Sequence, residues 1–465
     1  MPLTSGVRWR LSNPNLGSAA VESLGLTQVK GISGRHAYNA GIEWSMVMTI
    51  LGAQPVAGAA ESSPNWLLIT PHRLMFFIGA SNLLLAMLWW AVWLVAQRWP
   101  GLGLPIANMA THVPPGWLHA FIMQYQVLPS FMFGFLLTVF PRWMGLPELA
   151  RWRYLPVGIG LVGGQALCLL ASAFGWRYCL EAGLILTAIG WLVGLWTLGS
   201  LLFQEKGCTW HARSCFLAFI FGFFGLCAFL TFSLGGAPMW AFVSIKMGSF
   251  GLLMPIYFTV AHRMFPFFAG NVCKGYTPWR PMWLLAAFWP LSLAHLALEL
   301  VHGYAWLWPV DLALLGLTAV MLLRWWPRGP KPALLSVLFI AFAWLPITFA
   351  LYATQSLIFW INGAFNLGRA PAHALFIGFF GSALIAMVTR VTQGHSGRAL
   401  VMPPVAIFAF ICIQIVAILR IIAELTADAL FWQAVAAVAW LLALGPWVLW
   451  LNRIYLAPRV DGKPG

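Results

Sequence analysis

"HALFIGFFGSALIAMVTRVTQGHSGR", residues 373–398, is an apolar run that opens on a histidine, closes on arginine and ends in a glycine-framed GHSGR tail. His373 and Arg390 are seventeen residues apart. A helix rising about 1.5 Å per residue sets them roughly 26 Å apart, close to the ~30 Å hydrocarbon thickness of a bilayer. The two ends of the segment therefore belong to opposite membrane faces, with a histidine just inside one of them.

The rest of the chain repeats that pattern. Of its 465 residues 61% are hydrophobic and 8% charged, which excludes a water-soluble fold and predicts a polytopic membrane protein. Runs long enough to span occur at 72–96, 117–140, 154–174, 180–203, 214–234, 239–262, 281–301, 305–324, 333–352, 371–391, 402–423 and 430–451, twelve in all. Short loops join them, so one all-α bundle is expected over 71–452. A cytoplasmic or interfacial segment over 1–70 precedes it and a tail over 453–465 follows. Residues 44–60 are weakly apolar, contain Pro55, and read as irregular, not spanning. Residues 1–40 are polar and lack the apolar core of a cleavable signal.

Charge predicts orientation. With the N-terminus in the cytoplasm, 21 of the 26 Lys and Arg fall on the cytoplasmic side. Arg98, Arg177 and Arg369 fall outside, and Lys246 and Arg420 lie within spans. This bias places both termini inside and accounts for the net charge of +15 without nucleic acid. The seven cysteines show no zinc or disulfide spacing; six read as small hydrophobes and Cys273 sits alone in a loop.

On this topology His119 and His373 open the second and tenth spans at matched depth beneath the outer face. Two neutral imidazoles on different helices can ligate a haem iron from both sides, with Arg369 meeting a propionate; interfacial histidines bonded to neighbours are the alternative. His295, Glu299 and His302 share one helix face at offsets of four and three. They suit copper or a proton relay, or else a solvated helix end where Asp311 and Arg177 pair. His72-Arg73, His262-Arg263 and the Arg390, His395, Arg398 set crowd the inner side. That set could hold a headgroup, a metal or a small anion, or simply anchor the chain. Arg420 has Glu424 one turn away. Lys246 has no such local partner and reads as a channel or propionate contact. No phosphate loop, CxxCH or HExxH stands in the sequence, so any haem is non-covalent.

The C-terminal stretch resembles the NnrS family, whose members carry H-A-L-x-x-G-x-x-G followed by M-x-T-R-x-x-x-G-H-x-G-R. Here these are His373, Gly378 and Gly381, then Met387, Thr389, Arg390, Gly394, His395, Gly397 and Arg398. AHRMFPFF, at His262 to Phe268, and GFLLTVFPRW, at Gly134 to Trp143, are similar to further family blocks, so the resemblance spans about residues 70–452. One departure stands out: where many members read W-H-A-H-E-M, His119 takes the first histidine, but Phe121 and Ile122 occupy the second histidine and the glutamate. The resemblance implies a haem- and copper-associated protein of the bacterial inner membrane, tied to nitric oxide stress or nitrogen-oxide metabolism. Electron transfer would bring in a redox partner or a second copy of the chain. Histidines opening spans two and ten also resemble haem–copper oxidase subunit I. That family needs a copper triad and a second histidine two residues from the first on span ten. Pro371 and Leu375 stand at those places, so oxygen reduction is not expected. A cofactor-free transporter with a water-filled path around Lys246 remains the competing reading.

Overall fold

A computed structural model describes residues 66–104 and 112–462, together with a two-residue antiparallel pairing of Trp9–Arg10 with Gln54–Pro55. The chain divides into the units Met1–Asn65 and Trp66–Gly465. Residues 44–60, read from the sequence as irregular, are not among the described residues apart from that short pairing.

Twelve helices among the described residues are long and apolar enough to cross a membrane: α1 Pro71–Arg98, α2 Pro115–Met144, α3 Leu155–Phe174, α4 Arg177–Gln204, α5 Trp210–Ser233, α6 Met239–Val272, α7 Trp283–Leu300, α8 Tyr304–Trp325, α9 Ala333–Asn362, α10 Ala370–His395, α11 Pro404–Leu425 and α12 Ala429–Leu456. This is an all-helical multi-pass membrane protein. Proline stands in the first turn of α1, α2, α3, α10 and α11, where the missing N–H had no intrahelical partner.

Helices α2, α6 and α10 form the centre. Their most apolar windows are 83%, 67% and 67% buried, against at most 61% for the other nine. Every fourth span is therefore central. Each of the three also contains a π-helical stretch, Ile122–Val127, Met247–Leu253 and Ala374–Gly381. Two of these have an evident cause. Pro129 and Pro255 each stand two residues after the end of the first two stretches, and a proline removes a helical hydrogen bond and crowds the carbonyl four residues back. Neighbours then take up freed carbonyls: Trp191 Nε1 of α4 donates to Tyr125 O at 2.9 Å, and Ser292 Oγ of α7 donates to Phe250 O at 2.9 Å. The third stretch has no proline. There Gly378 accepts the Trp344 ring of α9, which a Cβ would meet at 2.5 Å.

Lipid chains are as apolar as the helix faces, so packing depends on close backbone approach and interhelical hydrogen bonds. Gly160 of α3 lies against Gly190 of α4, where a Cβ would come within 2.5 Å of the partner Cα. Trp89 Nε1 of α1 donates to Ser172 Oγ of α3 at 3.0 Å. Trp447 Nε1 of α12 donates to Thr389 Oγ1 of α10 at 3.0 Å. Where the three central helices meet, Phe131, Tyr257, Phe379 and Met387 help line a small, almost wholly apolar cavity.

Candidate functional site

The polar side chains gather at the two ends of this apolar centre. At the end where α2 and α10 begin, the His119 ring stacks on Trp90 of α1, with centroids 4.4 Å apart and planes at 11°. Its Nδ1 is buried with no hydrogen-bond partner among the described residues. Nδ1 of His373 lies 2.9 Å from the Arg369 carbonyl, which accepts only, so Nδ1 carries the proton and Nε2 the lone pair. Nη2 of Arg420 donates to that Nε2 at 2.9 Å.

Arg420 in turn pairs with Glu424 at 3.1 Å, as their one-turn spacing in the sequence predicts, while its Nη1 is buried without a partner. Glu424 also accepts from the Arg369 backbone N–H at 3.2 Å. This close approach suits Gly368, whose φ of +50 permits it and where a Cβ would stand 2.8 Å from the carboxylate. The Arg369 side chain is 72% exposed and 3.8 Å from Glu424.

A metal-ligating imidazole needs one nitrogen fixed by a carbonyl or carboxylate and the other free to bind. His373 has that tautomer. His119 has an unsatisfied buried nitrogen, and Trp90, itself in contact with Trp89 and Trp93, supplies flat apolar surface beside it. The donor chemistry present therefore fits a b-type haem. Arg420 occupies the free nitrogen of His373, so a ligand there would have to displace that guanidinium toward Glu424.

A second cluster lies between α6, α7 and α8. Lys246 Nζ donates to Glu299 Oε1 at 2.6 Å. The lysine thus has a partner after all, one fifty-three residues away in sequence and out of reach of any local search. Glu299 Oε2 lies 3.7 Å from His295 Nε2, and His295 Nδ1 is 2.6 Å from Asp311 Oδ1. Phe250 covers the His295 ring at 3.8 Å and Tyr352 meets it edge-on at 5.0 Å.

This is no solvated helix end: His295, Asp311 and Glu299 are 0%, 0% and 3% exposed. Arg177 pairs with Glu181 on its own helix instead. His302 takes a left-handed backbone with φ of 57 and stacks on Phe242 at 5.1 Å. The expected His295, Glu299 and His302 copper set is not assembled, and among the described residues no group of three His, Cys, Asp or Glu side chains is arranged to hold a metal ion.

At the opposite, arginine-rich end the residues grouped in the sequence separate into two places. His72 and His395 face each other with ring centroids 4.2 Å apart. Beside them Arg73 donates to the carbonyls of Ile454 and Tyr455 at 3.1 Å each and to that of Ala457, fastening the end of α12. Arg398 Nη1 is buried without a partner.

Elsewhere His262 Nε2 meets Pro281 O at 3.2 Å, His211 Nε2 meets His262 Nδ1 at 2.9 Å, and Arg263 Nη1 meets His211 Nδ1 at 3.5 Å. His211, in TWHARS at the start of α5, is the residue sequence reasoning missed. Its signal was the same histidine-near-arginine pattern at a span end. Arg390 joins neither group; its guanidinium lies 3.9 Å from the centre of the Phe268 ring.

A family model described as NnrS protein matches residues 66–459. The chain belongs to the NnrS family. The match runs from just before α1 to just beyond α12, so the family's motifs and every histidine discussed above lie inside it. No curated protein matches the chain.

Proposed function

We propose that this NnrS-family protein is a haem-binding redox protein of the bacterial inner membrane. Both termini would be cytoplasmic, and it would act in electron transfer or in the response to nitric oxide and related nitrogen oxides. His119 and His373 would hold the iron of one non-covalent haem b. The observation that carries this reading is the His373 tautomer, with Nδ1 tied to the Arg369 carbonyl and Nε2 left as a lone pair, in combination with the orphaned Nδ1 of His119.

The other residues follow from charge. Arg420, with an unpartnered buried Nη1, is the first candidate to meet a propionate, and Arg369 at the rim is the second. Glu424 would hold Arg420 once it leaves the imidazole. Trp90, stacked on the His119 ring, fixes its orientation and excludes water from that face. Bound there, a haem supplies one-electron redox chemistry. Held by both imidazoles, the iron would keep no position open for a substrate, which favours electron transfer over direct turnover of nitric oxide.

The absorption spectrum of the purified protein tests this. A Soret band is expected, lost or shifted in His119→Ala and in His373→Ala; an unchanged spectrum in both removes the assignment. A cofactor-free transporter has one observation in its favour, the cavity beside Lys246, whose lining mixes polar and apolar side chains. It predicts a preparation without cofactor and transport that fails in Lys246→Met. Against it stands the almost wholly apolar lining at the meeting of the three central helices, which offers no polar path onward.

A further inference from the structure

A cavity of about 170 Å³ lies between α6, α7, α8, α9 and the start of α10, lined by Lys246, Gln355 and Arg369 together with Leu307, Phe359 and Phe365 among others. Most of the free hydrogen-bonding capacity on its wall belongs to donors. The Leu367 backbone N–H donates to Gln355 Oε1 at 2.8 Å, which fixes that oxygen and leaves the amide Nε2 as a donor on the other side. Gln355 is only 7% exposed, and its Nε2 is buried with no partner among the described residues. A buried donor left unpaired is costly. Lys246 gives one of its three N–H groups to Glu299 Oε1 at 2.6 Å, and Arg369 adds an exposed guanidinium at the rim.

Acceptors on that wall are few and already engaged. Glu299 is the one carboxylate among the lining residues; its Oε1 receives Lys246, and its Oε2 lies toward His295 at 3.7 Å. Ser356 Oγ accepts from the Trp308 backbone N–H at 2.9 Å and donates to the Tyr304 carbonyl at 2.7 Å. One amide and two cations are therefore left to donate, and the group that answers them accepts only. A carboxylate has two acceptor oxygens and no donor, and its bonds to charged donors are the strong kind. Size and lining describe the rest of the ligand. A cavity of about 150 Å³ holds a benzene ring, and Leu307, Phe359 and Phe365 offer apolar surface to a body of that size. The connector between α9 and α10 is held in place by the Leu367 bond to Gln355 and by the Arg369 backbone N–H, which donates to Glu424 at 3.2 Å, so the rim is formed in advance.

We propose that this cavity is a binding pocket for a small organic carboxylate. Gln355 Nε2, Lys246 Nζ and Arg369 receive the carboxylate, and the apolar body rests among Leu307, Phe359 and Phe365. Binding is non-covalent, and no bond forms or breaks. Neither His119 nor His373 lines the cavity, so the pocket does not depend on the haem reading. A haem propionate carries the same chemistry, and Arg369 stands four residues before His373; the test separates that source from a free carboxylate.

The test is isothermal titration calorimetry of the full-length protein in detergent with benzoate, and with benzamide as an uncharged molecule of the same size. Benzoate is expected to bind once per chain and at least about tenfold more tightly than benzamide. Gln355→Glu keeps the oxygen that Leu367 needs but replaces the free donor with an acceptor, and should weaken benzoate binding by about tenfold or more. Arg369→Gln, at an exposed position, should weaken it severalfold and serves as the second variant should Gln355→Glu not fold. A cavity that takes water only would bind neither probe, or both equally weakly, and either result overturns the proposal, as does unchanged benzoate binding in both variants. A pocket filled by a haem propionate would refuse benzoate in preparations that carry a Soret band, and Gln355→Glu would shift that band; this outcome also overturns a pocket for a free carboxylate. Benzoate binding in a preparation without a Soret band would leave the pocket standing while the haem assignment fell.

Discussion

Two chains of buried polar groups run through this protein, and they differ in how their hydrogen bonds add up. In the chain on α5 and α6 every proton has one place. Pro281 O can only accept, so His262 Nε2 carries hydrogen and His262 Nδ1 receives it from His211 Nε2; His211 Nδ1 then accepts from Arg263. Donors and acceptors alternate to the end. In the chain on α6, α7 and α8 the alternation fails at one contact, where His295 Nε2 and Glu299 Oε2 both accept. The first chain is fully paired, whereas the second leaves two acceptors face to face. Histidine content alone does not separate them; direction of donation does.

The largest test of this contrast is removal of a member from the unbalanced chain. Asp311→Ala leaves the buried His295 Nδ1–H without its acceptor, with only Glu299 on the ring's other side, and should cost about 3–5 kcal/mol, read as a large fall in thermal midpoint in detergent. Asp311→Asn, which keeps a hydrogen-bond acceptor, should lose much less. The balanced chain should respond more mildly. His262→Leu orphans the His211 N–H and should cost about 1–3 kcal/mol. A double-mutant cycle with His211→Leu should return a coupling near 1 kcal/mol that does not change with pH, because no proton is taken up there. Coupling that varies with pH would erase the distinction.

The smallest effect belongs to an exposed pair used as the surface reference. The Asp428 carboxyl is held below its usual range, first by the Phe431 backbone N–H at 3.0 Å and then by Arg98. Its stabilisation of the start of α12 should be present above the ordinary carboxylate pKa of about 3.9 and fade as pH falls through the lower folded value. Asp428→Asn should abolish that dependence. Added salt should weaken the ionic part, since Arg98 and Asp428 are 36% and 49% exposed.

Much of this architecture is written in the sequence, for a physical reason. A bilayer enforces apolar stretches of fixed length, so all twelve spans can be found by hydropathy. Their ends cannot. The reading of 333–352 stops ten residues short of the end of α9, which continues to Asn362 through Gln355 and Ser356. These polar residues are buried by protein, not lipid, and no hydropathy window distinguishes the two. His119 and His373 are legible because they open spans on the same side. The partnership of Lys246 with Glu299 is not, because it depends on two helices meeting. The π turns are equally hidden: a proline marks a broken hydrogen bond, but which neighbour repairs it is decided by packing.

Those π turns have a further consequence for α10. A π turn accommodates one more residue than the α-helix it replaces, and one residue corresponds to about 100° of rotation. Deleting a single residue between 374 and 381 would let the helix relax to ordinary winding and leave everything beyond it in place. The same deletion in the ordinary turns after Gly381 would rotate the rest of the helix by that angle, swinging Arg390 off Phe268 and His395 off His72. The widened turn is thus slack in α10, a place where one residue can be lost while the two membrane faces keep their alignment.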